Sequence, residues 1–146
     1  MSATRLTMSA HQVKAAQVGA VAGIGGGLVF GAMMAMGGML PMVGMLVKQE
    51  NAVVGFMVHL IISAFIGAVY GSVATRLPAT WLAAIGGGAV NGVVWWILGA
   101  LILMPLLLGM TQMIFVIGEM QWMSLMGHLV YGVITGALFN LISRRV

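Results

Sequence analysis

The sequence predicts an all-α, polytopic membrane protein with four transmembrane helices, built as two parallel two-helix repeats. Of its 146 residues, 62% are hydrophobic and 5% are charged, whereas about a quarter of the residues in a soluble domain are charged. A surface with so few charges cannot be covered by water, so lipid is the expected solvent. The length allows roughly four spans of about 20 residues with short connections, and an internal repeat pairs them.

The repeat is clearest between the second and fourth apolar segments. HLIISAFIGAVYGSVATR, from His59, and HLVYGVITGALFNLISRR, from His128, share His-Leu, a Gly-Ala pair, an aromatic residue and a closing arginine at a constant offset of 69 residues. The two acids of the chain, Glu50 and Glu119, have the same offset. Each copy holds an even number of spans, so both enter the membrane from the same side. A pseudo-twofold axis along the membrane normal is therefore expected to relate them.

The repeat divides the chain into three parts. Residues 1–14 are polar and mildly basic and predict a cytoplasmic N-terminal tail, residues 15–78 form the first two-helix repeat, and residues 79–146 form the second. Span one is predicted over Ala15–Leu40. Four of its glycines recur at every fourth residue, which places them on one helix face and lets another helix backbone come close: Gly19, Gly23, Gly27 and Gly31. Pro41 should end or kink this helix, because proline lacks the amide hydrogen.

The other three spans carry similar small-residue faces. Span two is predicted over Ala52–Thr75, span three over Trp81–Met104 and span four over Trp122–Ser143. Pro105 is expected to end or kink span three as the earlier proline does span one. Leu106–Gln121 is apolar in part but too short to cross a bilayer, which predicts an interfacial or re-entrant piece.

The charges predict the orientation. Five of the six cations fall at one end of the predicted bundle and only Lys48 falls at the other. The positive-inside rule then predicts a multi-pass protein of the inner or plasma membrane with both termini in the cytoplasm. No basic run or patch indicates nucleic acid as a partner. The predicted partners are the lipid bilayer and either further copies of the chain or other membrane subunits.

His59 and His128 are the candidate cofactor-binding residues. Both are predicted at the same depth inside the bilayer, where ionisable groups mark functional sites by default. Two imidazoles that face each other across a twofold axis are one way to ligate a haem b, and one imidazole suffices for a chlorophyll-type pigment. The alternative is that each imidazole makes a hydrogen bond across a helix interface. The small residues expected to pack around a bound ligand are Ser63, Gly67, Gly132 and Gly136.

The methionines suggest a second kind of site. The chain has 15 of them, and all but Met1 and Met8 fall in the predicted outer half of the bundle. A thioether is a soft ligand that suits Cu(I), so a methionine-lined outer vestibule would provide a path for Cu(I) or another metal ion. The alternative is that methionine fills irregular gaps between helices. The candidate metal ligands are Met39, Met42, Met45, Met57, Met123 and Met126.

The sequence contains no Ser-His-Asp arrangement, no HExxH and no phosphate-binding loop, and we expect no enzymatic activity. The predicted function is an accessory or scaffold subunit of a larger membrane complex or homo-oligomer, holding a haem, pigment, quinone or lipid near the two histidines. A small channel or transporter is the alternative. The glycine-rich first span, the sequence MPLLLGM and a span that opens on histidine resemble small bacterial integral membrane proteins. That resemblance implies a membrane location and no particular activity.

Overall fold

The computed structural model describes residues 9–144, which form helices joined by short loops, without a strand among them. Four helical stretches in this part of the chain are long and apolar enough to cross a membrane. This confirms the prediction of an all-helical chain with four candidate spans. The helices are α1 (Ala10–Met36), α2 (Leu40–Gly44), α3 (Ala52–Ala74), α4 (Trp81–Trp95, continued by a π-helical stretch over Trp96–Leu103), α5 (Met104–Leu107) and α6 (Glu119–Ser143), with 3₁₀ turns at Met45–Val47 and Thr111–Met113.

Helix α1 begins earlier than predicted because Ser9 caps it. The Ser9 hydroxyl accepts from the Gln12 backbone amide at 3.2 Å, and the Gln12 side chain accepts from the Ser9 amide at 3.0 Å. This reciprocal capping box satisfies amides that would otherwise lack partners. Residues 10–14, which the sequence assigned to the tail, are therefore the first turn of the helix. Residues 1–8 of the predicted tail lie outside the described residues.

The same helix ends at Met36, before the predicted end. Gly37 follows it, and Gly38 takes a left-handed φ of 66°, a conformation that costs glycine little and that stops the helix. Pro41 does not end the helix. It lies in the first turn of α2, where the missing amide hydrogen has no intrahelical partner to lose.

Pro105 does not end its helix either. Helix α4 passes through the π-helical stretch into α5, and Pro105 lies in the first turn of α5. A proline deprives the carbonyl four residues earlier of its usual donor, here the oxygen of Leu101. The Phe115 backbone amide donates to that oxygen at 3.1 Å. The segment predicted as an interfacial or re-entrant piece thus folds back onto α4.

Glycines set the distance between the helices within each pair. A Cβ atom at Gly19 of α1 would fall 2.8 Å from the Cα atom of Gly71 in α3, and one at Gly88 of α4 would fall 3.2 Å from the Cα atom of Gly136 in α6. Backbones this close gain dispersion contacts and Cα–H···O contacts that larger residues would prevent. The predicted glycine faces are therefore used inside the chain, to join α1 to α3 and α4 to α6.

The two helix pairs contact each other unequally. Helix α1 packs along α6, whereas α3 and α4 touch at few places. The Tyr70 hydroxyl donates to the Ala84 carbonyl at 3.1 Å, and the rings of Phe65 and Trp95 lie edge to face with centroids 6.2 Å apart. We call the contact of α1 with α6 the closed side of the bundle, and the contact of α3 with α4 the open side.

Candidate functional site

His59 of α3 points into the bundle. Its side chain is 6% exposed, and its Nε2 lies 2.9 Å from the carbonyl oxygen of Gly27 in α1. A carbonyl only accepts, so the bond assigns the hydrogen to Nε2 and leaves a lone pair on Nδ1. His59 thereby joins α3 to α1, which is the interhelical role that the sequence left open as the alternative to ligand binding.

His128 of α6 makes a different bond. Its Nδ1 lies 2.7 Å from the Ser124 carbonyl oxygen, one turn earlier in the same helix, and 3.4 Å from the Ser124 hydroxyl. The shorter contact assigns the hydrogen to Nδ1 and leaves Nε2 as the acceptor. The two histidines, equivalent in the sequence repeat, therefore differ in tautomer. His59 fastens two helices together, and His128 stays within one.

Phe30 of α1 contacts both imidazoles. Its ring centroid is 5.2 Å from that of His59 and 4.9 Å from that of His128, and both ring pairs have an edge-to-face geometry. The ring fits because α6 has glycine at position 127, where a Cβ atom would fall 2.7 Å from the Cζ atom of Phe30. Phe30, His59 and His128, together with Tyr131 described next, form the central cluster.

Tyr131 of α6 completes the central cluster. Its hydroxyl donates to the Ser63 carbonyl of α3 at 2.7 Å, and its side chain is 3% exposed. The cavity left among the cluster, Ser63 and two isoleucines has a volume of about 50 Å³. That is room for about two water molecules, whereas small-molecule sites occupy roughly 300 Å³ or more.

A macrocycle ligated by the two imidazoles does not fit this geometry, because the cavity that they line together with Phe30 has a volume of only about 50 Å³. The small residues expected to pack around the ligand lie against neighbouring helices instead. A Cβ atom at Gly27 would fall 2.6 Å from the Cβ atom of Ser63, and one at Gly67 would fall 2.7 Å from the Cα atom of Gly23. The backbone of α4 similarly fills the space beside Gly132 and Gly136.

The candidate methionine ligands do not gather at either cavity that we describe. Met39 packs against the hydrophobic cluster around Phe30, and Met42 is half-buried. Neither the cavity at the central cluster nor the larger one below is lined by methionine. The geometry therefore gives no support for a Cu(I) path, which stays a prediction. The remaining candidates are exposed on the bundle: Met45, Met57, Met123 and Met126.

A larger cavity of about 320 Å³ lies at the end of the bundle where α1 and α4 begin and α3 and α6 end. Its polar lining includes His11, Lys14 and Asn140. The Nδ2 atom of Asn140 is buried and has no hydrogen-bond partner within residues 9–144. The sequence prediction includes no site at this end of the bundle.

Phe30 is absent from the sequence prediction, and Tyr131 is not among its candidate cofactor-binding residues. Phe30 is the only aromatic residue of α1 and lies on its glycine face, three residues after Gly27. Tyr131 follows His128 by three residues and so lies near it on the same helix. Both of these spacings can be read from the sequence and indicate that the two residues lie near the predicted site. The fit of the Phe30 ring against Gly127 joins positions 97 residues apart, which no local pattern indicates.

Comparisons with protein-family models, with curated proteins and with solved structures give no match to this chain. The function proposed below is therefore supported by sequence and geometry alone. Three features support it: the filled central cluster, the glycine contacts within each helix pair and the apolar outer surface.

Proposed function

We propose that this chain is a non-enzymatic membrane protein that acts as a packing subunit, as a scaffold or accessory component of a homo-oligomer or a larger membrane complex. The observation that carries the proposal is the filled central cluster. Its polar groups bond to helix carbonyls, and only about 50 Å³ remains among them. A bundle that is filled in this way has its outer surface available for partners.

Membrane insertion is supported by the apolar outer surface of the four long helices. Leu82 of α4 is 85% exposed, Ile61 of α3 is 69% exposed, and Val21 of α1 is 58% exposed. A surface of this kind would cause aggregation in water, whereas lipid solvates it. The proposed location is the inner or plasma membrane with both termini in the cytoplasm, as the distribution of cations predicts. Reporter fusions at either terminus test this orientation.

The proposed arrangement is two parallel repeats related by a pseudo-twofold axis along the membrane normal. Gly67 and Gly136 share the sequence offset of 69, and each meets the backbone of the first helix of its own pair. His59 and His128 share the same offset, and both contact one phenylalanine ring. These correspondences are what duplicated helix pairs would produce.

Helix α4 carries the surface that we propose for a partner helix. Gly86 is exposed, and no atom lies within 4 Å of the place where its Cβ atom would be. Leu82 and Val90 precede and follow it by four residues and are 85% and 63% exposed. In lipid, a small residue between larger ones allows a second helix backbone to approach closely.

The substitution Gly86→Leu in the full chain tests the packing role. Leucine is a better helix former than glycine, so the monomer should fold at least as well. Loss of one close helix contact should reduce the oligomeric fraction about tenfold, as measured by native mass spectrometry and by photobleaching in vesicles.

Gly99→Leu is the matched control, because it makes the same change on α4 where a Cβ atom would also meet nothing within 4 Å. It lies on another face of the helix and should leave the oligomer intact. A wild-type chain that is monomeric at every protein-to-lipid ratio, and that copurifies with no membrane subunit, would refute the packing role.

A further inference from the structure

The larger cavity has features that a packing subunit does not need. Its volume of about 320 Å³ is at the lower end of the range for small-molecule sites. Apolar side chains such as Val18 and Phe139 form much of the wall, and His11, Lys14 and Asn140 supply polar groups. This combination suits a ligand with a polar head and an apolar body.

Asn140 indicates the chemistry of that head. Its side chain is 5% exposed, and its Oδ1 accepts from Arg144 Nε at 3.2 Å. This bond fixes the orientation of the amide, because only the oxygen can accept from an arginine. The Nδ2 atom is left buried without a partner in the described part of the chain. A buried donor without a partner is costly, and an acceptor within the cavity would satisfy it.

The charges around the cavity favour an anion. Lys14 lines it, and the Arg144 guanidinium beside Asn140 also donates to the Ala79 carbonyl at 3.0 Å. No aspartate or glutamate lines the cavity within the described residues 9–144. The two acids of the chain, Glu50 and Glu119, lie at the opposite end of the bundle. Lysine and arginine side chains form strong, charge-assisted hydrogen bonds with phosphate oxygens.

We propose that this cavity binds a phosphate-bearing anion, and that its source is the headgroup of an anionic phospholipid. The phosphate accepts from Asn140 Nδ2 and pairs with Lys14, while the glycerol and the first acyl carbons lie on the apolar wall. Within residues 9–144, Lys14, Arg76 and Arg144 lie at this end of the bundle and Lys48 lies at the other. Basic pockets between membrane helices on the cytoplasmic side recognise such headgroups. This inference goes beyond the packing role and does not depend on it.

Native mass spectrometry of the delipidated full-length protein tests the site. Phosphatidylglycerol is added in one arm, phosphatidylcholine in a second and inorganic phosphate in a third. We expect wild type to retain phosphatidylglycerol about tenfold better than phosphatidylcholine, the effect of one charge-assisted interaction. Lys14→Gln and Asn140→Asp should each abolish this preference. Lys48→Gln removes a cation at the opposite end of the bundle and should preserve it.

Asn140→Asp retains an acceptor for Arg144 while it replaces the unpaired donor with a negative charge, so it should fold, as thermal unfolding in detergent would verify. Equal retention of the two lipids by wild type, or unchanged selectivity in both cavity variants, would overturn the lipid site. Variant-sensitive binding of inorganic phosphate without lipid selectivity would support the anion site and overturn the lipid source. Gly86→Leu should retain phosphatidylglycerol even where it loses the oligomer, which separates this inference from the packing role.

Discussion

The closed side and the open side of the bundle occupy corresponding places in the repeated sequence, yet their side chains differ. On the closed side, Phe30 of α1 fits against Gly127 of α6. On the open side, Asn91 of α4 corresponds to Phe30. The two positions are 61 residues apart, the same offset that relates the IGGG sequence at Ile24 to the IGGG sequence at Ile85. The residue of α3 that corresponds to Gly127, at the offset of 69, is Val58. The aromatic ring and the gap that receives it are therefore both absent from the open side.

The positions of the tyrosines also differ between the two repeats. Tyr131 of α6 crosses the bundle to Ser63 of α3, whereas the residue that corresponds to it in α3 is Ile62. A β-branched side chain is stiff and has no hydroxyl to offer a neighbouring helix. The glycines thus bring the two helices of a pair together. The larger residues between the glycines determine whether the two pairs pack closely, as they do on the closed side, or loosely, as they do on the open side.

Filling the gap on the closed side should produce the largest effect. Gly127→Val gives α6 the residue that α3 has at the corresponding position, and the new Cβ atom would collide with the Phe30 ring. We expect the free energy of unfolding in mixed micelles to fall by about 3 kcal/mol, the upper part of the usual range for overpacking. The reciprocal Val58→Gly should cost only about 1 kcal/mol, through helix propensity and lost burial. Equal losses for the two variants would show that the sides pack alike.

Replacing either histidine should lower the free energy of unfolding, and the two losses should differ in size. His59→Ala and His128→Ala both remove a contact with Phe30, but only His59 holds a hydrogen bond to another helix. We expect both to lower the free energy of unfolding by about 2 kcal/mol or more. His59→Ala should cost about 1 kcal/mol more than His128→Ala, the value of one interhelical hydrogen bond in a membrane. Steric-trapping measurements in bicelles would resolve the difference, and the reverse order would contradict the assigned bonds.

The tyrosines allow a smaller comparison. Tyr131→Phe removes the hydroxyl that reaches Ser63, and Tyr70→Phe removes the one that reaches Ala84 across the open side. The hydrogen bond of each tyrosine hydroxyl should contribute about 0.6–1 kcal/mol to the free energy of unfolding. Only Tyr70→Phe should also let α3 and α4 separate further, as spin-label distances between the two helices would show. An unchanged distance would mean that the contact of Phe65 with Trp95 sets the separation.

Sequence reasoning predicts the features that depend on local composition. Four apolar helices follow from hydropathy, and the glycine faces of α1 and α3 follow from spacing. The helix ends at Gly37 and Gly38 and the positions of Pro41 and Pro105 at helix starts depend on backbone geometry, which the spacing of prolines does not reveal. Spacing alone therefore does not show that each proline lies in the first turn of a short helix.

The candidate site was predicted in part for a related reason. His59 and His128 both reach a buried cluster, as their repeated positions indicate. The ring that contacts both comes from α1, and the sequence repeat that relates α3 to α6 carries no information about a third helix. The different tautomers likewise follow from tertiary contacts, because Gly27 belongs to another helix and Ser124 to the same one.

The smallest expected effect is a gain rather than a loss in the free energy of unfolding. Asn91, which corresponds to Phe30, has a buried Nδ2 atom without a partner in residues 9–144. Replacing an unsatisfied polar group by an apolar one of similar size is neutral or stabilising, so Asn91→Leu should raise the free energy of unfolding by about 0–1 kcal/mol. Val90→Leu, at the exposed neighbouring position, is the control and should have no effect. A loss of about 1 kcal/mol or more in Asn91→Leu alone would mean that water or lipid satisfies the amide, and that the open side is a solvated crevice rather than a loosely packed contact.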